Sequence, residues 1–157
     1  MQGCDICIRN SRARYLAQVS LNVRRLKDGS IKILLYIFGL VGTAAGLFAY
    51  CAPLALFELL ADYTGEPNLH LVRDVGAAYI AAGLALSWAA VTPKWRGPLV
   101  SVAAIFLLLH ALGHVIDLVS GHVHFGHVVV DAVQVFAPAI AVSGLAVYFL
   151  MFGEVER

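Results

Sequence analysis

Charge is what this sequence has least of. Only 13% of its 157 residues are Asp, Glu, Lys or Arg, about half the share in soluble domains. That scarcity excludes a soluble globule, whose surface needs charge. The 61% hydrophobic content equally excludes disorder, which goes with few apolar residues. A formal net charge of +1 leaves no broad basic field to draw nucleic acid. Three cysteines, an odd number, cannot staple a disulfide scaffold. Catalytic signatures are missing too. There is no G-x-S-x-G, no P-loop, no H-E-x-x-H and no G-x-G-x-x-G after a strand. No repeat period or low-complexity tract is visible, and no catalytic activity is read from the chain. What is present is apolar mass, with a mean hydropathy of +0.82. The composition predicts an all-α integral membrane protein.

The apolar runs are long enough to place the spans. A bilayer core of about 30 Å needs roughly 20 helical residues, and four runs supply them, near 31–52, 74–91, 99–119 and 128–152. The first is too long for a signal-peptide core and has no A-x-A site after it, so it reads as an uncleaved span. Gly42 and Gly46 within it form a G-x-x-x-G pair, which permits close helix approach in lipid. Between the first two spans, Pro53 opens a short apolar segment at the interface, and Asp62–Asn68 carries turn chemistry. Pro138 should kink the last span. Residues 1–30 are different, with six of the eleven Lys and Arg and with Leu16, Val19, Val23 and Leu26 at helical spacing. A basic amphipathic helix on an anionic membrane surface and a solvated tail both fit that pattern. Residues 153–157 form a short polar tail.

Orientation follows from the cations near the span ends. Seven Lys and Arg lie at or before Lys32, two in the loop 92–98 and one in the tail; the opposite loops hold only Arg73. Both termini are therefore expected in the cytoplasm, with the chain a multi-pass membrane protein of four spans. The near-zero net charge becomes a cancellation. Ten cations against four acids give +6 inside, and one against six gives −5 outside.

All six histidines fall on the outward half. His110, His114 and Asp117 share one face of the third span at i, i+4 and i+7. Asp131 and Gln134 would face that stripe from the fourth span. Ionisable residues inside spans usually look into a bundle interior, so this cluster is the candidate site. One reading is a transition-metal or haem centre built from His110, His114, Asp117, His122, His124, His127 and Asp131. A second is structural, with Arg73, Asp74 and Glu58 as ion-pair partners that fix helix register. A third is protonic or small-molecule binding, since imidazoles near neutrality can relay protons. The loop Gly121–His127 (GHVHFGH) reads either as surface copper or zinc capture or simply as a flexible loop. Cys4 and Cys7 form a C-x-x-C without the two further ligands a zinc site needs, so they read as free thiols. A native start downstream of Met1 would remove them.

The segment His70–Gly83 (HLVRDVGAAYIAAG), with Pro53 before it and His110, His114 and Asp117 after it, resembles small four-span bacterial membrane proteins of the DoxX-like family. The matching positions are Arg73, Asp74, Gly76 and Gly83, and the similarity extends over residues 31–152. The resemblance implies a four-helix bundle, in most members without an established activity. It also implies a non-catalytic accessory or scaffold role linked in some relatives to thiol or redox stress, with an oxidoreductase or another membrane protein as partner. Homo-oligomerisation stays open.

Overall fold

The computed structural model describes residues 2–59, 68–121 and 128–152, apart from the side chains of 2–17, 20, 23–25 and 27. Its elements are α1 (Gln2–Cys51), α2 (Pro53–Leu59), α3 (Leu69–Val91), a 3-10 turn (Pro93–Trp95), α4 (Arg96–Val119), α5 (Val128–Asp131), a π turn (Ala132–Phe136) and α6 (Ala137–Phe152). Four stretches are long and apolar enough to cross a membrane: Asp28–Cys51, Leu69–Val91, Pro93–Val119 and Val128–Phe152. The chain is a small membrane-spanning helical protein. Its contacts divide into two units, Met1–Leu34 and Leu35–Arg157. In the first, Lys32 pairs with Asp28 across one helical turn at 2.9 Å. The basic face read from residues 1–30 and the Cys4–Cys7 motif lie outside the described side chains.

The second unit is the bundle. In lipid, helices gain little by hiding apolar surface from one another, so close packing must hold them. Small residues supply it. Gly39 and Gly46 on α1 lie seven residues apart, as do Gly76 and Gly83 on α3, and a seven-residue spacing keeps both members on one seam. A Cβ on Gly46 would lie 2.6 Å from Gly76 O, and one on Gly83 would lie 2.5 Å from Thr43 N. Gly39 meets the Ser87–Gly83 end of α3 and Gly46 the Gly76–Ile80 end, so the two helices run antiparallel with their backbones touching. Across the bundle, Ala89, Ala103, Ala139, Val100 and Val142 are almost fully buried. Large side chains such as Val102, Leu109 and Ile140 point outward, as lipid-facing positions should.

Helix ends follow the local chemistry. Asn68 caps α3, its side chain accepting from Leu71 N–H at 3.1 Å. Thr92 closes that helix by donating to Trp88 O, and Pro93 stops propagation. Ser120 and Gly121 end α4 through N–H bonds back to Ile116 and Leu118. Gly121 takes φ +73° there, a conformation that favours glycine. Pro138 acts one turn earlier than its own position. It has no N–H to offer Gln134 O, and the preceding turn widens so that Ala137 N–H bonds Ala132 O, five residues back.

Candidate functional site

A cavity of about 730 Å³ lies inside the second unit. Its walls come from the C-terminal half of α1, from α2, α3 and α4, and from the fourth span. Among the described residues they are apolar except for Tyr79, His110, His114, Asp131 and Gln134, and none of the described lining residues is Lys or Arg.

These polar groups are neighbours for reasons visible in the helices. His110 and His114 are one turn apart on α4, and their ring centroids lie 4.8 Å apart, edge to face. Phe106, one turn before His110, stacks on it at 5.9 Å. Tyr79 crosses from the middle of α3 and meets both Phe106, at 5.1 Å, and His110, at 5.3 Å, edge-on. On the other side, His114 Nδ1 lies 3.1 Å from Asp131 Oδ2. The imidazole donates there, because an ionised carboxylate has only lone pairs. That bond fixes the proton of a neutral His114 on Nδ1 and leaves Nε2 as an acceptor. Asp131 is among the few buried charged residues. It sits directly before the π turn, so the widened turn sets its azimuth.

His110, His114 and Asp131 thus come together as their spacing predicts, with Gln134 on the same cavity wall. Asp117 does not join them. It lies exposed in the last turn of α4. His122, His124 and His127 lie outside the described residues. Among the described residues, no three His, Cys, Asp or Glu side chains converge as metal ligands. Arg73 and Glu58 are exposed. Asp74 pairs at 3.5 Å with His70, both side chains well exposed, which is a weak interaction at a helix surface.

Two important residues have no counterpart in the sequence reading. Tyr79 is one, although a tyrosine in mid-span is itself a signal, because its hydroxyl seeks a partner. Arg96 is the other. It reads as a loop cation, yet it is only 4% exposed. Its Nε donates to Ala89 O at 3.1 Å and its Nη2 to Ala90 O at 3.5 Å. Its guanidinium also lies over the Phe149 ring at 5.6 Å. It ties the end of α3 to α6.

Residues 30–139 match the profile of a family described as "Domain of unknown function (DUF4345)". No curated protein and no solved structure matches the chain.

Proposed function

The chain belongs to that family, whose description assigns no activity, and from the geometry of its cavity we propose that it is a non-catalytic membrane module that binds a lipid-phase small molecule. The carrying observation is the cavity itself. Its volume of about 730 Å³ is that of a pocket for a drug-sized ligand. Apolar walls with a few convergent polar groups are the usual form of such pockets. The Tyr79–His110–His114–Asp131 string would hold the polar end of the occupant, and the α1, α2 and α3 walls its apolar body.

With both termini in the cytoplasm, as the cation count supports, the polar string sits toward the outer leaflet of a bacterial inner membrane. The module would then present its ligand to a membrane partner, and the DoxX-like resemblance suggests one in redox or stress chemistry. A second reading, a transition metal or haem, is favoured by the His114–Asp131 contact with His110 alongside. It needs ligands from the 122–127 loop.

Both readings meet in one preparation. The protein is purified in mild detergent, extracted with organic solvent and assayed by mass spectrometry, with metal analysis and a visible spectrum alongside. The binding reading expects a stoichiometric apolar molecule in the wild type and its loss in Ala45→Phe, which fills the cavity from α1. Stoichiometric metal or a haem band, with no organic occupant, would establish the second reading instead.

A further inference from the structure

We infer that the cavity is a slot open sideways to the bilayer between α1 and the fourth span, so that its occupant enters from the lipid and is held at its polar end by the Tyr79 hydroxyl. The inference rests on the binding reading above and gives the occupant's route and anchor. Its basis is the contrast between the lips of the cavity and its back. Ile37, Val41 and Phe48 on α1 and Val130 and Val133 on the fourth span line it. All five are exposed, Val41 at 63% and Val133 at 69%. Leu86, Leu107 and Val135 line it too, and they are buried. Walls with exposed lips and a buried back describe a groove with one open side. The packing order agrees. The first span packs on α3, α3 on α4 and α4 on α6, so the lips belong to the first and last members of that row.

What meets those lips follows from their place in the chain. Both lie in stretches long and apolar enough to cross a membrane, Asp28–Cys51 and Val128–Phe152. Ile37 to Phe48 covers roughly 16 Å of helix axis, about half of a hydrocarbon core of about 30 Å. An apolar opening of that height meets acyl chains rather than water. Lipid tails are as apolar as the walls, so moving a chain from bilayer to slot gains little by itself. Retention then falls to a polar contact at the back. His114 and Asp131 already hold each other at 3.1 Å. Tyr79 meets Phe106 and His110 through its ring, and among the described residues its hydroxyl has no hydrogen-bond partner. That hydroxyl both donates and accepts, and in apolar surroundings a bond to an entering molecule relieves the cost of leaving it unpaired.

The test reads whether acyl chains reach the back wall. Leu107→Trp places a single tryptophan there, with Trp88→Phe and Trp95→Phe removing the native two. The full-length protein is exchanged in detergent to remove its occupant and reconstituted into phosphatidylcholine vesicles with brominated chains, which quench tryptophan on contact. Quenching should match that of an outward control, Leu109→Trp, and should fall when Val41→Phe and Val133→Phe narrow the mouth. Oleyl alcohol added to the vesicles should relieve it by displacing the brominated chains. Tyr79→Phe should raise the concentration needed by about two- to tenfold. Phe38→Trp, an aromatic exchange on the α1 wall, replaces the first reporter if Leu107→Trp does not fold. A back-wall tryptophan left unquenched beside a quenched outward control overturns the lateral route, while a stoichiometric occupant in the purified protein keeps the binding reading. An unchanged oleyl alcohol requirement in Tyr79→Phe overturns the anchor. Quenching that oleyl alcohol never relieves, with no occupant in the purified protein, overturns the binding reading and leaves an open groove filled by bulk lipid.

Discussion

At the residue scale, Arg96 and Asp131 stand out among the described residues as buried charged side chains. Arg96 answers the carbonyls that α3 leaves without partners at its last turn. Buried as Arg96 is, water has little access to replace it there. Arg96→Met should therefore destabilise the bundle by about 1–3 kcal/mol, read as a fall in the midpoint of thermal unfolding in detergent. Arg96→Lys should recover only part, because an ammonium cannot reach two carbonyls with a planar fork. An unchanged midpoint for Arg96→Met would show that the contact contributes nothing.

The His114–Asp131 pair was legible in the sequence, because i, i+4 spacing on α4 and one turn of depth on the next span bring it together. Arg96 was not. A cation in a proline-bounded loop looks the same whether it faces headgroups or folds back to cap a helix. Tyr79 was missed for a related reason. Its neighbours Gly76 and Gly83 mark the α1 seam, and the polar ring between them takes its meaning only from α4.

At the element scale, the α1–α3 seam and the π turn each depend on a residue type that helices ordinarily avoid. Gly83→Ala places a Cβ against Thr43 N and Gly39 O, both backbone atoms that cannot move aside. Overpacking of that kind costs about 1–3 kcal/mol. Gly144→Ala is the matched control, since a Cβ there meets nothing within 4 Å. It should be neutral or should stabilise by about 0.5–1 kcal/mol, because glycine is a poor helix former. Equal unfolding midpoints for the two variants would refute the seam.

Pro138→Ala restores a donor for Gln134 O and lets the wide turn close to α geometry. Each residue of an α-helix turns the chain by about 100°, so Asp131 would rotate off His114. The predicted outcome is an unchanged or higher unfolding midpoint with a loss of bound ligand. Retention of ligand at the wild-type level would show that the π turn does not set the site. Sequence pattern located the disturbance at Pro138 but not its form, because a kink and a widened turn satisfy the same missing N–H.

At the scale of the whole molecule, the four spans and the all-helical class follow directly from the scarcity of charge and the length of the apolar runs. The cavity does not. It is the volume that neighbouring helices leave unfilled, set by small residues such as Gly42, Ala45 and Ala82 on its walls. The same residue types elsewhere produce tight packing. Hydropathy separates lipid from water, and it cannot separate a wall from a seam.

The central claim is that this void is a ligand site rather than a packing gap. A photoreactive oleyl alcohol, carrying a diazirine on its chain, tests that most directly when it is incorporated into membranes holding the full-length protein. Illumination and peptide mapping should place adducts on cavity residues such as Ala45, Tyr79, Leu107 and Val135, with unlabelled oleyl alcohol suppressing them. Adducts confined to outward residues such as Val102, Leu109 and Ile140, insensitive to competitor, would contradict the account.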